Sequence, residues 1–238
     1  MSQIIGIGGF SNCGKSSSLA TLDPATTFII SCTPKQLSIP GFRKKYKQFK
    51  IVDKQIVGNW AFTNEFGTVA TYMAVVNLKM PHIKTLVIDD ANYLLAQETM
   101  SRGTEKGYDK HVEIAQHYYD FIMDAMKLRE DLVVVFISHI TDEGVDAKPR
   151  FKLFTTGKMI DKIVNVDGLF NYLLYAEKIE DTKNHEILYK FRTRTNGDDT
   201  CRSTKGCFAE KYINQDMKYV IDTITNFENG DNQDEGND

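Results

Sequence analysis

The chain has 238 residues, of which 42% are hydrophobic and 26% charged, with four cysteines and a formal net charge of −3. An α/β domain can reach roughly 250 residues, so the length fits one domain with a sizeable core. The composition excludes collagen-like, wholly disordered and disulfide-scaffold proteins. No run approaches the roughly 18 consecutive apolar residues of a membrane helix. The basic residues that begin a signal peptide do not precede the first apolar run. We therefore expect a cytoplasmic protein with reduced thiols and no membrane partner.

The predicted elements alternate between apolar strands and amphipathic helices. Strands are expected, in chain order, at residues 3–8, 27–32, 84–89, 132–137, 169–176 and 186–193. Helices are expected at residues 16–22, 64–78, 109–129 and 214–227. Fully apolar strands that alternate with helices indicate a mainly parallel sheet covered by helices on both faces, so the predicted fold class is α/β.

A phosphate-binding motif follows the first predicted strand. Residues 9–16, GFSNCGKS, match G-x-x-x-x-G-K-[ST] at every fixed position, and the alternative is a chance glycine-rich turn. Glycines let the backbone wrap around a phosphate, and amides at the start of a helix attract the anion. Lys15 is expected to pair with the β- and γ-phosphates of ATP, and Ser16 to bind Mg²⁺. The loop residues expected to bind nucleotide are Gly9, Ser11, Asn12, Cys13, Gly14, Lys15, Ser16 and Ser17.

Two acids end the third predicted strand, in LVIDD at residues 86–90. A phosphate-loop protein needs such an acid to hold the shell of its magnesium ion. We assign Asp89 to Mg²⁺, through water, and Asp90 to the positioning of the attacking water. The alternative for Asp90 is to cap a helix at residues 91–97, and Glu65 is a reserve candidate for activating the water.

Ser138 and His139 end the apolar strand at residues 132–137. In an open parallel sheet, polar groups at strand ends lie beside the bound ligand. Ser138 is therefore a candidate for contact with the γ-phosphate. His139 is an alternative for that role, and it can equally be a hydrogen-bonded residue of the strand end.

The charges are unevenly distributed along the chain. Residues 228–238 carry five acids, no base and no apolar side chain, so we expect a disordered acidic tail after one domain of residues 1–227, whose own net charge is +2. Each of three basic clusters is either a solvated face or a phosphate contact, and Tyr46, Phe49 and Phe151 are candidates to stack on bases. The clusters are Arg43, Lys44, Lys45, Lys47 and Lys50; Lys148, Arg150, Lys152, Lys158 and Lys162; and Lys190, Arg192, Arg194, Arg202 and Lys205.

The phosphate loop, the two acids and the strand ending at Ser138 together resemble the RecA-like group of P-loop ATPases. More narrowly, the chain resembles small phage-encoded ATP-binding proteins related to RecA and to phage single-strand annealing proteins. This resemblance covers nearly the whole chain up to the acidic tail. It is carried by VIDDANYLL (87–95), GYDKHVEIAQHYYDFI (107–122), DLVVVFISH (131–139), TTGKMIDKIVNVDGLFNYLLYAE (155–177) and FRTRTNGDDTCRSTKGCFAE (191–210).

The resemblance implies a RecA-like ATPase core that binds single-stranded DNA as a homo-oligomer, with nucleotide at the subunit junctions. In such assemblies a cation of one subunit reaches the neighbour's γ-phosphate. By its match to the family's Gly-Lys segment, Lys158 is the first candidate for that catalytic contact, and Arg150 is the second. The alternative for Lys158 is a solvated side chain at the start of a helix.

The expected function is therefore that of a Mg²⁺-ATP-dependent ATPase of phage DNA recombination or replication, in the host cytoplasm. One alternative is a helicase loader or accessory ATPase that acts on a replication or recombination protein. Another is an ATP-gated, DNA-binding scaffold without significant turnover, because Asp90 stands where many ATPases of this group carry Glu.

Overall fold

A nine-stranded sheet forms the centre of the fold in the computed structural model, which describes residues 1–144, 150–156, 158–182 and 184–231. The strands are β1 (Gln3–Gly9), β2 (Thr27–Ser31), β3 (Lys50–Val52), β4 (Gln55–Val57), β5 (Trp60–Phe62), β6 (Thr85–Asp89), β7 (Val133–Asp142), β8 (Phe151–Leu153), β9 (Tyr172–Asp181), β10 (Glu186–Arg192) and β11 (Tyr212–Asn214). The main sheet has the order β11-β10-β9-β1-β7-β6-β2-β5, with β8 paired to β7. The six strands from β9 to β5 are parallel to one another, whereas β8, β10 and β11 pair antiparallel. β3 and β4 form a separate hairpin.

Helices cover both faces of this sheet. They are α1 (Phe42–Lys45), α2 (Phe66–Lys79), α3 (Asn92–Ser101), α4 (Asp109–Met126), α5 (Lys158–Ile163) and α6 (Met217–Glu228), with 3₁₀ helices at Ser16–Thr21 and Asp167–Leu169. Buried residues of α2, α3 and α4 share one core with the sheet, and those of α1, α6 and the first 3₁₀ helix share the other. The fold is therefore α/β, with a mostly parallel mixed sheet between helices.

The alternation of side chains along each central strand supplies both cores. In β7, Val134 and Phe136 pack on the side of α2–α4, whereas Val135 and Ile137 pack on the side of α6. Because successive residues of a strand point to opposite faces, a strand buried on both sides must be apolar throughout. This requirement explains why the central strands are continuous apolar runs in the sequence.

Most predicted elements are present, and the differences have local causes. The predicted helix at 16–22 is a 3₁₀ helix of six residues, and it ends before Asp23, where Pro24 disfavours helical backbone. β3, β4, β5, β8 and β11 are each three residues long, too short to show a periodic pattern, and were not predicted. Nor was the short helix α1, whereas α5 begins at Lys158, where the alternative reading of that residue placed the start of a helix. All four cysteines are buried free thiols, as expected.

The last element of the described chain is the helix α6. α6 ends at Glu228, one residue beyond the expected domain limit, and Tyr172 donates a hydrogen bond from its hydroxyl to the Glu228 carboxylate. Residues 232–238 of the predicted acidic tail lie outside the described residues, as does Lys148 of the second basic cluster. Among the described residues, none of the helices combines the length and the apolar character needed to cross a membrane.

A buried arginine joins the antiparallel strands. Arg192 of β10 is 2% exposed, and it donates from Nε to Glu177 over 2.7 Å and from Nη1 to Asp199 over 2.8 Å. Its guanidinium also lies 5.3 Å from the centre of the Tyr175 ring. These contacts fix β10 against β9, so this member of the third basic cluster is a structural residue.

We expect Arg192→Met to lower the free energy of unfolding by about 3–5 kcal/mol, because it leaves the buried Asp199 carboxylate without its cation. Urea denaturation of the purified chain measures this loss. The matched control is Arg194→Met, two residues further along in an exposed position, which should change the stability by less than about 1 kcal/mol. Equal losses in the two variants would contradict the structural role of Arg192.

Candidate functional site

A cavity of about 570 Å³ opens at the carboxyl ends of the parallel strands β1, β2, β6 and β7. This edge is where open α/β sheets bind their ligands. Its walls are residues 11–18 after β1, residues 35–38 after β2, Asp90 and Tyr93 after β6, His139 of β7, and Tyr189 and Gln215. The strand order therefore brings together segments that are far apart in sequence.

The phosphate loop requires glycine at two positions, for lack of space at Gly9 and for its backbone conformation at Gly14. A Cβ atom on Gly9 would lie 2.8 Å from the carbonyl oxygen of Ala176 in β9. Gly14 has a φ of +84°, and a Cβ atom there would lie 2.1 Å from Oε1 of Gln215. Asn12, also left-handed with a φ of 60°, is a residue type that tolerates this region. The two glycines of the motif thus allow the loop to pack closely against β9 and Gln215.

Gln215 braces the loop from the far end of the chain. Its Nε2 donates to the carbonyl oxygens of Cys13 over 2.7 Å and Lys190 over 3.1 Å. The ring of the neighbouring Tyr189 packs beside Gly14. The sequence analysis missed Gln215 and Tyr189, because neither belongs to a motif and both reach the loop only through the antiparallel strands β10 and β11.

Lys15 is a buried cation whose hydrogen bonds go to carbonyl groups of its own loop. It is 6% exposed, and its Nζ donates to the carbonyl oxygens of Gly9 and Phe10 over 2.8 Å each. Burial lowers the pKa of Lys15 below its ordinary value. Among the described residues it has no carboxylate in direct contact, so this ammonium is available to an incoming anion.

Ser16 and Asp89, assigned to the metal from sequence, are in contact. The Ser16 hydroxyl donates to Oδ1 of Asp89 over 2.8 Å, and Asp89 is 1% exposed. Burial, and after it the charge of Asp90, raises the pKa of Asp89 well above its ordinary value. A carboxylate with a raised pKa lacks sufficient positive charge nearby, and two hard oxygen donors suit Mg²⁺.

The protein oxygens of this site do not form a complete metal cage. Within the described ranges, His, Cys, Asp and Glu side chains form no group of three or more that could hold a metal ion. Mg²⁺ is bound in many proteins by one or two protein oxygens, with waters and phosphates as its other ligands. Ser16 and Asp89 fit that pattern, in which the ion binds together with a phosphate ligand.

Asp90 faces the cavity and is held by an ion pair. It has a left-handed φ of 62° and is 2% exposed. Its Oδ2 accepts a hydrogen bond from Thr33 over 3.2 Å and lies 2.6 Å from Nζ of Lys35, while Oδ1 lies 3.6 Å from Nε2 of His139. The carboxylate does not cap α3, whose N-cap residue is Ala91 and receives no side-chain hydrogen bond.

His139, rather than Ser138, lines the cavity. Ser138 continues the face of β7 that holds Val134 and Phe136, where it is 3% exposed and lies on the side of the buried Tyr118 of α4. The structure therefore does not bring the Ser138 side chain to the phosphate loop. Strand alternation was the available signal, because successive residues point to opposite faces and only one of the pair can face the cavity.

Other candidate residues lie elsewhere. Glu65, the reserve candidate for activating water, stands at the start of α2 and lines a separate cavity of about 470 Å³ together with Glu98 and His117. Lys158 begins α5, and its side chain lies outside the described residues. In the second basic cluster, Lys152 is paired with Glu143 and Asp161 rather than free.

The first basic cluster forms an exposed cationic surface. Its five cations, Arg43, Lys44, Lys45, Lys47 and Lys50, are exposed and form no ion pair with other described residues. We call these five residues the basic surface. The aromatic residues between them point inward instead.

Base stacking by Tyr46, expected from the sequence, is wrong. Tyr46 is 3% exposed and stacks on Phe42 at a centroid distance of 5.4 Å, and Phe49 packs against Phe28 and Tyr72. Phe151 is partly buried, with its ring 5.7 Å from that of Phe10 in the phosphate loop. Tyr46 is a core residue, Phe49 is partly buried against the core, and the cations around them are exposed.

No model of a known protein family matches the chain, and no curated protein matches its sequence. The assignment of function therefore depends on the residues of the cavity themselves. The arrangement that must be explained comprises the phosphate loop, the Ser16–Asp89 contact and the Lys35–Asp90 ion pair.

We expect Gly14→Ala to lower the free energy of unfolding by about 1–3 kcal/mol, through its left-handed backbone and the contact with Gln215. A Gly14→Ala/Gln215→Ala double variant should lose less than the sum of the single variants, since the steric contact is gone. Chemical denaturation of all three measures this coupling. Gly67→Ala is the control, in α2 with open space around the added methyl group, and should not destabilise the protein. Strict additivity at residues 14 and 215 would exclude the packing described above.

Proposed function

We propose that this chain is a RecA-like P-loop protein of phage DNA recombination or replication, which binds Mg²⁺-ATP and single-stranded DNA and hydrolyses the nucleotide. The observation that carries the nucleotide part is the contact between the phosphate loop and Asp89, where the Ser16 and Asp89 oxygens lie 2.8 Å apart. A loop with the full motif and a strand-end acid in contact with its Ser is the arrangement that Mg²⁺-nucleotide binding requires.

The cavity residues have distinct roles in this proposal. Lys15 binds the β- and γ-phosphates, which the amides of residues 11–17 surround. Ser16 and Asp89 hold Mg²⁺, Asp89 through water, and the ion when bound neutralises charge on the phosphates. Asp90 orients a water towards the γ-phosphorus; the water oxygen bonds to phosphorus, the bond from phosphorus to the ADP oxygen breaks, and the proton passes to the carboxylate.

The basic surface supports the DNA part of the proposal. Its cations are exposed and unpaired among the described residues, which leaves them available to backbone phosphates. Assembly on DNA would place nucleotide between subunits, and Lys158 is our candidate for contact with a neighbour's γ-phosphate. In this proposal the protein works in the cytoplasm of the host cell.

A specific observation favours a second candidate, the ATP-gated scaffold without significant turnover. Asp90, the proposed group for orienting water, is held by Lys35 at 2.6 Å and by Thr33 at 3.2 Å. While these contacts persist, the carboxylate is poorly placed to accept a proton from water. Measured turnover distinguishes the two candidates.

We expect the purified chain to release phosphate from Mg²⁺-ATP, faster with single-stranded DNA, and Lys15→Ala to lower the rate by about 100-fold or more. The reason is that Lys15 is the buried cation closest to the proposed phosphate position. Steady-state phosphate release, with and without DNA and as a function of protein concentration, is the measurement. If Lys158 acts on a neighbour, Lys158→Ala should be defective only at concentrations where subunits assemble.

The control is Lys127→Ala, which removes an exposed lysine paired with Asp124 on α4 and should retain the wild-type rate. Binding of ATP without phosphate release, with DNA present, would support the scaffold instead. Stimulation by a helicase but not by DNA would support a loader. Failure to bind ATP at all would refute the proposal.

We expect Lys44, Lys45 and Lys50, changed together to Gln, to weaken binding of single-stranded DNA and reduce its salt dependence. For a single strand, the slope of log K against log salt is about 0.7 per phosphate contact, so losing three contacts should lower it by roughly 2. Fluorescence anisotropy with a labelled oligonucleotide at several salt concentrations provides the slope.

The matched control changes Lys84, Lys127 and Lys218 to Gln. These three lysines are also exposed, but each forms an ion pair with an aspartate. The net charge of the two triple variants is identical, so a difference in slope reports the position of the charges. Equal slopes would show that the basic surface is not the DNA contact.

A further inference from the structure

Lys35 stands in the cavity opposite the phosphate loop, and no motif marks it in the sequence. It follows β2 by four residues, in the segment 35–38 that forms one cavity wall. Its Nζ lies 2.6 Å from Oδ2 of Asp90. The lysine side chain is 57% exposed, whereas that of Asp90 is 2% exposed. The ion pair therefore joins a solvent-accessible cation to a buried, fixed carboxylate.

The cavity holds two lysines, and only Lys35 has a carboxylate in direct contact among the described residues. Lys15 hydrogen-bonds only carbonyl groups of its loop, and Lys35 is the second cation of the same cavity. The charge of Lys35 lowers the pKa of Lys15, so the two ammonium groups repel each other. An anion with several charges, such as a nucleoside triphosphate, relieves this repulsion better than a singly charged one.

We propose that Lys35 is a binding residue for the terminal phosphate of the nucleotide, and that it leaves Asp90 when a triphosphate enters. This inference rests on the proposed function. In the absence of a triphosphate, Lys35 holds the carboxylate. With the γ-phosphate present, the ammonium turns to the phosphate oxygens, and Asp90 is free to accept a hydrogen bond from water.

The geometry favours movement of the lysine rather than of the aspartate. Asp90 is fixed by its buried position and by the hydrogen bond from Thr33. The wall around Lys35 is also anchored, because Leu37 and Ile39 are 3% and 4% exposed in the core. Lys35 itself has a flexible four-carbon chain, so a side-chain rotation suffices for the exchange.

The energies of the two contacts are compatible with such an exchange. Burial lowers the pKa of Lys35, but the hydrogen bond and the charge of Asp90 outweigh it and raise the pKa, so the side chain stays protonated. The ammonium of Lys35 is exposed to solvent, and the Asp90 carboxylate that it leaves keeps its hydrogen bond from Thr33 and gains one from the water. A γ-phosphate offers more negative charge and several oxygens, and a diphosphate lacks this group. The exchange therefore predicts discrimination between ATP and ADP.

The test measures the affinities of Mg²⁺-ADP and of a slowly hydrolysed Mg²⁺-ATP analogue by calorimetry. We expect Lys35→Ala to weaken binding of the triphosphate by about tenfold, the size of one charge-assisted contact, and to change ADP binding less than twofold. Lys127→Ala, which removes an exposed Lys–Asp pair outside the cavity, is the matched control and should change neither. An unchanged ratio of the two affinities in Lys35→Ala would overturn the inference while leaving the proposed function intact.

A second variant separates phosphate binding from a purely structural ion pair. Asp90→Asn breaks the ion pair with Lys35 before any nucleotide binds. We therefore expect the Asp90→Asn variant to bind the triphosphate a few-fold more tightly than the wild type does. Lys35→Ala/Asp90→Asn should lose that gain. If Asp90→Asn instead weakens the triphosphate to the same extent as Lys35→Ala, the ion pair only supports the wall and the exchange is refuted. Failure of the wild type to bind either nucleotide would refute the proposed function as well.

Discussion

Asp89 brings a carboxylate to a position that is 1% exposed, and much of the surrounding cavity compensates for that burial. Removing a carboxylate from water is expensive unless hydrogen bonds or cations replace the lost solvation. The Ser16 hydroxyl provides a hydrogen bond, and Lys15 and Lys35 lie near enough to lower the pKa of Asp89, although not enough to offset burial. The charge of the neighbouring Asp90 raises the pKa of Asp89 further, and Asp90 itself forms an ion pair with Lys35. A cavity with this charge distribution is suited to a cation and a polyanion that arrive together.

The two cores of the sheet determine which side chains reach this cavity. Odd-numbered residues of β6 and β7, such as Val87 and Val135, face the α6 side of the sheet, and Asp89 and His139 follow the same alternation. Even-numbered residues, such as Phe136, face α2–α4, and Ser138 therefore faces that side too. The chemistry at the strand ends is thus fixed by the same alternation that fills the cores.

The sequence carried enough information to predict the central strands, the longer helices and the contact between the phosphate loop and Asp89. Continuous apolar runs identify strands buried on both faces, and a phosphate loop has a specific pattern of fixed residues. Lys35 and Gln215 could not be found in that way, since an isolated lysine or glutamine has no pattern and gains its role only from the strand order. The first basic cluster gave a wrong expectation for a different reason. Cations next to Tyr46 and Phe49 are consistent with base stacking, but Tyr46 is buried in the core and Phe49 is partly buried against it.

The contacts of Gln215 affect the order in which parts of the molecule can fold. Its hydrogen bond to Cys13 spans 202 positions of the chain, and it also requires β10, through Lys190, to be in place. During synthesis the phosphate loop leaves the ribosome 202 residues ahead of its brace. Contacts of such long sequence separation form late, because the chain between them must be ordered first. A nascent or truncated chain that ends before β11 would therefore contain the complete motif without the hydrogen bonds that hold its loop in place.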